Sequence, residues 1–374
     1  MRKLSPEQIR LLRLRSQRLH PETAQTISTA AQSVKALCGL QAQELPSATL
    51  AVRPRSHNLT AADVKRARED DHSSVLTWCM RGTLHLVAAD DLSWLLPFLG
   101  PIFIHKSQRR YTQLGLDHET RIQAAQEIRD ELGRRGPLTR PELAEALEAK
   151  GIPVAGQAIA HLVRYAALEG IICYGPERDG QLTFVLLEDW IRLEEPLDTH
   201  LFQAELAQRY LQAYGPATAE DLASWSGISM RQARAGFETI TKELEEVEMA
   251  GSQAWMLKGT SAWLDEPPGE PIVRLLPRYD EYLLGYQSRA FMVSEAYARS
   301  IHPGGGIIKS TFIVNGRALG IWRSERKKNR TTIVIEPFER LSSTLKPALE
   351  AEVADLGRFS QQQTNLRLES SLKT

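Results

Sequence analysis

Long apolar runs are missing from this chain of 374 residues. Spanning a bilayer takes roughly 20 consecutive apolar residues, and no stretch approaches that length. The first residues are basic, but no apolar segment follows them, so they do not form the pattern of a secretory signal. These absences predict a cytoplasmic protein that stays away from the membrane.

Cysteine is scarce, with three residues in the whole chain. Cys38, Cys79 and Cys173 are odd in number, far apart and set among apolar neighbours, which predicts reduced, buried thiols and no disulfides. The chain also lacks a paired Cys-x-x-Cys, and His118-Glu119 has no second histidine to complete a zinc-protease helix. We therefore expect no metal site and no cofactor.

Net charge is absent too, because 46 basic residues balance 46 acidic ones. A protein that binds phosphates usually needs a basic surface, so the distribution of charge becomes decisive. Acidic residues concentrate at 188–198 and 243–248, while basic residues concentrate in two other segments. These basic residues are Arg10, Arg13, Arg15 and Arg18 near the N-terminus and Arg317, Arg323, Arg326, Lys327, Lys328 and Arg330 near the C-terminus. This separation predicts a positive face able to contact nucleic acid.

An internal repeat organises the middle of the chain. Residues 136–144 (Gly-Pro-Leu-Thr-Arg-Pro-Glu-Leu-Ala) are echoed by residues 215–223 (Gly-Pro-Ala-Thr-Ala-Glu-Asp-Leu-Ala). Each copy follows an amphipathic helix, and its threonine, Thr139 or Thr218, is suited to cap a second helix. A third helix and a β-hairpin then follow, which together predict a winged helix. The predicted helices and strands are 119–134, 157–169, 171–174 and 182–186 for the first copy and 198–214, 229–241, 244–249 and 253–257 for the second.

The N-terminal region fits this template less closely, and the C-terminal region departs from it. Helices are predicted near 5–19, 22–41 and 60–70, followed by strands 75–80 and 83–87 around Arg81-Gly82. Strands are predicted at 272–276, 307–314, 317–322 and 331–335, then a helix at about 341–356 and a frayed end from 361. Asn315-Gly316 is a strong hairpin turn.

The predicted fold class is therefore α+β, mainly α, with three tandem winged-helix units and a small C-terminal β-rich subdomain. A length prior of about 150 residues per domain allows two or three large units. The predicted boundaries are 1–117, 118–192, 193–263 and 264–374, and the last segment carries a basic turn formed by residues 323–330.

Two short motifs are candidates for chemistry. Gln41-Ala42-Gln43 closes the predicted helix at 22–41, and Arg81-Gly82-Thr83-Leu84-His85 follows about forty residues later. A glycine-rich stretch at 304–310 contains a lysine, but a strand and not a helix is predicted after it, so we reject a phosphate-loop interpretation. No serine lies in a nucleophile-elbow context.

These two motifs, the tandem winged helices and residues 275–285 (Leu-Leu-Pro-Arg-Tyr-Asp-Glu-Tyr-Leu-Leu-Gly) together resemble the bacterial AlkZ/YcaQ family of winged-helix DNA glycosylases. The resemblance covers nearly the whole chain. It implies a C-shaped molecule, excision of alkylated purines from double-stranded DNA and unhooking of interstrand crosslinks. The Gln-x-Gln form of the motif implies a preference for cationic lesions.

The chemistry of two neutral amides agrees with such a substrate. Unmodified nucleosides need a carboxylate to activate water and an acid to protonate the leaving base. A purine alkylated at N7 or N3 is already cationic, so its base leaves without that help. We expect Gln41 to position the attacking water and Gln43 to be its partner.

The remaining site residues are expected to contact DNA. Arg81 and His85 either touch DNA or support the glutamines, and the alternative is that they only shape the hairpin, with His85 hydrogen-bonded in the core. Phosphate contacts are expected from the basic turn. Its residues are Arg323, Arg326, Lys327, Lys328 and Arg330.

Two other classes of function stay open from the residues alone. Winged helices most often belong to DNA-binding regulators without catalysis, and fold does not determine function. A ligand-binding or scaffolding protein could retain the same architecture. Regulators usually dimerise on paired half-sites, whereas three winged helices in one chain can surround DNA as a monomer, which is the state expected here.

Overall fold

The computed structural model describes residues 1–192, 197–265, 269–327 and 330–370. Its helices are α1 (Pro6–Ser16), α2 (Pro21–Ala24), α3 (Ala30–Ala36), α4 (Leu45–Val52), α5 (Ala61–Glu69), α6 (Ala89–Lys106), α7 (Gln108–Gln113), α8 (His118–Arg135), α9 (Arg140–Ala149), α10 (Ala158–Leu168), α11 (Leu187–Trp190), α12 (Thr199–Tyr214), α13 (Ala219–Ser226), α14 (Met230–Thr239), α15 (Glu281–Leu284), α16 (Ala298–Ile301) and α17 (Lys346–Ser360).

Strands alternate with these helices along the chain, which confirms the α+β class. They are β1 (Arg2–Leu4), β2 (Leu40–Gln41), β3 (Ser74–Trp78), β4 (Leu84–Ala88), β5 (Leu138–Thr139), β6 (Ile172–Arg178), β7 (Gln181–Leu186), β8 (Leu244–Met249), β9 (Ser252–Leu257), β10 (Val273–Leu276), β11 (Thr311–Val314), β12 (Arg317–Lys327), β13 (Arg330–Pro337) and β14 (Gln363–Leu368).

The described chain forms two compact units, and neither is continuous in sequence. The first unit takes its residues from 1–64, 203–225 and 229–374, and the second takes them from 65–202 and 226–228. The four segments predicted from the sequence are continuous ranges of the chain. Each compact unit instead combines segments that are distant in sequence.

The second unit contains a sheet whose strands run in the order β4-β3-β6-β7-β5. Between α8 and β7 the three helices and the hairpin follow the order predicted from the repeat, and the short strand β5 between the first two helices was not predicted. Thr139, the threonine of the repeat, caps α9. Its backbone N–H and its hydroxyl donate hydrogen bonds of 2.7 and 2.8 Å to the carboxylate of Glu142. The local sequence thus determines where this helix begins.

The second copy of the repeat lies mainly in the first unit and follows the same order. Strands β8 and β9 form its antiparallel hairpin, and β1 pairs with β8 in parallel. Ala217 and Trp255 exchange two backbone hydrogen bonds of 3.0 and 2.9 Å, at the place where the first copy has β5. Apolar residues of α1 pack on this small sheet in a core with Val247 and Met256.

The C-terminal sheet of the first unit has the order β10-β11-β12-β13-β14 and packs against α17. The Asn315-Gly316 turn has φ values of 48° and 76°, as a two-residue hairpin requires. Three details differ from prediction. The strand expected at 307–314 begins only at 311, the two strands after the turn are longer, and residues 363–368, expected to fray, form a strand parallel to β13.

The prediction of a single helix at 22–41 was wrong. Pro21 begins a helix of one turn, and a new helix begins after Thr29, whose side chain and Gln32 form a capping box. The apolar periodicity continues through both helices, but the caps end the first helix and begin a second one. Helices α4 and α6 were not predicted.

The expected burial of the cysteines is confirmed. All three cysteines are buried and free. Burial raises the pKa of the Cys79 thiol to about 12, so it stays protonated at neutral pH. Of the helices in the described ranges, none has the length and apolar character needed to cross a membrane.

Candidate active site

A tight turn at the end of α3 sets the position of the glutamine motif. Cys38 and Gly39 have positive φ values of 54° and 112°, and the N–H of Gly39 donates to the carbonyl of Val34 at 3.0 Å. Glycine tolerates such a φ, so the chain can reverse at once after the helix. Gln41 then lies on the two-residue strand β2, and α4 begins at Leu45. The motif is thus held between two helices, and not at the end of one long helix.

Gln41 and Gln43 contact each other directly. The Nε2 group of Gln41 donates a hydrogen bond of 2.9 Å to Oε1 of Gln43. The two side chains differ in environment, because Gln41 is only 8% exposed whereas Gln43 is exposed to solvent. The structure therefore presents a pair of hydrogen-bonded amides with one buried and one accessible member, and their role in catalysis stays a prediction.

A buried glutamate, Glu281, lies directly behind the pair. Its Oε1 accepts a hydrogen bond of 2.9 Å from the backbone N–H of Gln41. Glu281 is only 1% exposed. Its Oε2 accepts bonds from the hydroxyl of Tyr214 and the indole N–H of Trp225, each at 3.3 Å. These three neutral donors stabilise a carboxylate next to the motif.

Tyr214 and Trp225 belong to an aromatic cluster that encloses this glutamate. The rings of Tyr210 and Tyr214 stack with centroids 4.9 Å apart, and Trp225 lies about the same distance from both. Burial raises the pKa of Tyr214 well above its usual value, and the nearby charge of Glu281 acts in the same direction. The phenol therefore keeps its proton at any pH relevant to the enzyme, and this one proton is shared between the carboxylate and the carbonyl of Leu37, 3.1 Å away.

The residue before Glu281 fixes the segment to the core. Asp280 accepts two hydrogen bonds from Arg55, at 2.6 and 2.8 Å, and also caps the short helix α15 through the N–H of Tyr282. Both members of this ion pair are completely buried. Because α15 begins at Glu281, the pair holds the glutamate at a fixed point beneath the motif.

Arg278, in the same segment, has a different role. It forms an ion pair of 2.7 Å with Glu44, and both side chains are about two-fifths exposed. Glu44 precedes α4 and follows Gln43, so this pair joins the second motif to the first on the solvent side. Arg278 and Asp280 thus both hold this segment in place, one at the surface and one in the core.

Arg81 and His85 lie in the second unit, at the β3–β4 hairpin. Arg81 is the bend residue, with φ of 54°, and is half-buried. His85 is completely buried, and its Nδ1 bonds to the carbonyl of Thr83 at 2.9 Å. Burial, together with the positive charge of Arg81, lowers the pKa of His85 to about 3, so the ring is neutral. DNA contact by these residues stays a prediction, and His85 would first have to become exposed.

The basic residues near the C-terminus lie mostly on a strand and not in a turn, because β12 continues to Lys327 and β13 begins at Arg330. Arg323 is bonded to Glu336, to Glu325 at 3.2 Å and to Glu369 at 2.7 Å. Its charge is therefore compensated within the sheet.

The rest of this basic segment is different. Arg326, Lys327 and Arg330 are exposed, and no ion pair joins them to an acidic group in the described ranges. Lys328 lies outside the described residues. We call Arg326, Lys327 and Arg330 the basic strand end, and their contact with phosphates stays a prediction.

The structure thus brings Gln41 and Gln43 together, as predicted, and adds a residue that was not predicted. Glu281 was part of the segment 275–285, but it was not singled out. The sequence did contain a signal for this residue, because Glu281 directly precedes the apolar run Tyr282-Leu283-Leu284. A charged residue beside such a run is buried only if polar groups bond to it. Its partners lie far away in sequence and could not be read from it.

Comparisons with known proteins agree with this architecture. A family model described as DNA glycosylase AlkZ-like matches residues 34–359. A relative from Streptomyces sahachiroi is named interstrand DNA cross-link repair glycosylase. It is 29% identical over an alignment of 377 positions, which covers 96% of this chain and 97% of the relative. The solved structure of the Streptomyces sahachiroi DNA glycosylase AlkZ is similar with a TM-score of 0.81 and 27% identity, covering 98% of this chain and 100% of that one.

These matches also bear on the class of protein. The matched range 34–359 contains the glutamine motif, the β3–β4 hairpin, both repeats and the 275–285 segment. A regulator without catalysis, or a scaffold that retains only the architecture, is accordingly not favoured. DNA is the substrate on which the matched family acts.

Proposed function

Because the chain belongs to the AlkZ-like family of DNA glycosylases, we propose that it hydrolyses the N-glycosidic bond of purines that alkylation at N7 or N3 has made cationic. The relative named for interstrand cross-link repair supports extending the substrate to crosslinked purines. The observation that carries the proposal is the hydrogen-bonded pair of Gln41 and Gln43. Neutral amides suit a base that is already an able leaving group.

The reaction needs little from the protein. The bond between C1′ and the purine nitrogen breaks with its electron pair going to the cationic base, which leaves neutral. Positive charge passes to the sugar, and a water oxygen then bonds to C1′ and loses its proton to solvent. The protein contributes by placing the water and by favouring the charged sugar, which are positioning and electrostatic effects.

The hydrogen bond within the pair assigns different parts to the two glutamines. Gln43 accepts from Gln41, so the bond fixes the orientation of both amides. Gln43 is exposed to solvent, so it would be the member of the pair that meets water and DNA. Gln41, buried and anchored through its backbone, supplies the rigid member. Rigid placement matters because a displacement of about 1 Å in such a site costs roughly 100-fold in rate.

Recognition of DNA would rest on the backbone and on the instability of the lesion. A crosslinked base stays tethered to the opposite strand and cannot be rotated fully out of the duplex, so a deep base pocket would exclude it. The basic strand end would supply sequence-independent phosphate contacts. We further infer a monomer acting in the cytoplasm on chromosomal DNA, since one chain carries both the motif and the basic residues.

Release of free base from DNA that contains 7-methylguanine tests the proposal. The parent protein should release the base and leave an abasic site, and Gln41→Ala should lower the single-turnover rate by about 100-fold with DNA affinity nearly unchanged. Gln126→Ala, at an exposed helical position of the second unit, is the control and should behave as the parent. Full activity in Gln41→Ala would remove the pair from catalysis, and DNA binding without base release by the parent would point to a regulator.

A further inference from the structure

The glutamine motif contains no charge, yet positive charge develops on the sugar when the base leaves. A negative group near the sugar would favour that state. The carboxylate in direct contact with the motif is Glu281, one hydrogen bond of 2.9 Å from the backbone of Gln41. It is 1% exposed, so solvent screens its charge far less than it screens a surface carboxylate.

Another acidic residue adjoins the motif, but its charge is compensated. Glu44 is about two-fifths exposed and pairs with Arg278 at 2.7 Å. Hydrogen bonds to the side chain of Glu281 come from a backbone N–H, a phenol and an indole. The buried Arg55 also interacts electrostatically with Glu281, but it is ion-paired with Asp280, so the three ionised side chains together carry one net negative charge.

We propose that Glu281 positions Gln41 and supplies the buried negative charge that favours the cationic sugar and the cationic base. This inference rests on the proposed function of the glutamine pair. Glu281 touches no substrate, so it is a positioning residue whose charge acts through space. The chain thereby obtains from a distant segment the electrostatic effect that its two neutral amides cannot provide.

The size of the effect follows from Coulomb's law. A unit charge at roughly 8 to 12 Å from a cation, in an effective dielectric of about 20, changes the stability of that cation by about 10- to 30-fold. Glu281 contacts the backbone of Gln41, so a sugar held at the end of the Gln41 side chain would lie in this range of distance. The effect should therefore be measurable in binding as well as in rate.

Abasic-site analogues separate charge from geometry. DNA that contains a pyrrolidine abasic analogue, which is cationic at neutral pH, mimics the charged sugar, and DNA with a tetrahydrofuran site is its neutral counterpart. The parent protein should bind the pyrrolidine DNA about 10-fold or more tightly than the tetrahydrofuran DNA. Glu281→Gln should reduce this preference to near unity, with affinity for the neutral DNA unchanged. A merely structural residue would alter both affinities equally.

Matched variants control for folding and for net charge. Glu352→Gln makes the same change at a buried glutamate of the same unit that bonds Arg53 and Arg274, and it should retain the preference. Tyr214→Phe removes a hydroxyl shared by Glu281 and the carbonyl of Leu37 and leaves the charge, so it should also retain the preference.

The outcomes distinguish the two proposals. Absence of any preference in the parent protein, or an unchanged preference in Glu281→Gln, would overturn the role of Glu281. The parent measurement decides the question even if Glu281→Gln does not fold. A fully active Gln41→Ala would instead overturn the function of the glutamine pair.

Discussion

Arg55 and Asp280 form an ion pair with two hydrogen bonds, at 2.6 and 2.8 Å, in which neither side chain is exposed to solvent. The negative charge of Asp280 raises the pKa of the arginine against the opposing effect of burial. The pair matters for function because Asp280 caps α15, the helix that begins with Glu281. A structural ion pair thus holds the segment that supports the glutamine motif.

Breaking this ion pair should destabilise the protein strongly. Arg55→Met or Asp280→Asn alone should lower the free energy of unfolding by about 3 to 5 kcal/mol, because each leaves a buried partner uncompensated. The double variant should cost less than the sum of the two. Urea denaturation in a double-mutant cycle measures this coupling, and additive costs would contradict it. The exposed pair of Arg129 and Glu188 is the control and should contribute less than about 1 kcal/mol.

His85 should make the protein less stable as the pH falls below neutral. Its pKa in the folded protein is about 3, whereas in the unfolded chain it is about 6.5. Between these values only the unfolded chain takes up the proton, so folding stability decreases by up to about 1.4 kcal/mol per pH unit for this group. His85→Asn should therefore show a shallower loss of melting temperature from pH 6.5 to pH 4. His118→Asn, at an exposed position, is the control and should lose melting temperature with pH as steeply as the parent protein. An equally steep loss in His85→Asn would contradict this explanation.

The basic strand end should bind DNA regardless of sequence. Reversing Arg326 and Lys327 to glutamate should weaken binding to every duplex and reduce the dependence of log Kd on log salt by about 1 to 2 units. Arg323→Gln should have a smaller effect, because three glutamates already compensate that charge. Titrations at several salt concentrations measure both quantities. Lys242→Glu combined with Lys258→Glu, both exposed at the acidic hairpin, is the matched double reversal, and an equal loss there would assign the effect to net charge alone.

A carboxylate at position 43 should widen the range of substrates. Gln43→Asp can still accept the hydrogen bond from Gln41 and adds a stronger base for the water. Relative to 7-methylguanine, its single-turnover rate on a neutral purine lesion such as hypoxanthine should rise at least about 10-fold. Gln43→Asn has the same length without the charge and should show no such gain. If both variants behave alike, the neutrality of the motif does not limit the substrate.

Much of the local structure could be predicted because its causes lie within a few residues. The Gly-Pro repeat with its capping threonine predicted the helices and hairpins of both copies, and Asn315-Gly316 predicted a turn. Where the prediction of one helix at 22–41 failed, the apolar pattern was continuous but the helical backbone was not. Pro21 and Thr29 divide the expected helix at 22–41, so the glutamine motif follows a tight turn and a short strand.

The sequence by itself determined the family resemblance, the glutamine motif and the elements on either side of it, since caps, turns and periodicity are properties of neighbouring residues. Only the tertiary structure decided which charges are compensated and which carboxylate supports the motif. Glu281 meets Gln41 across 240 residues, and Arg323 meets Glu369 through pairing of strands. A buried charge is stable only with partners, and packing of distant segments determines which partners it finds.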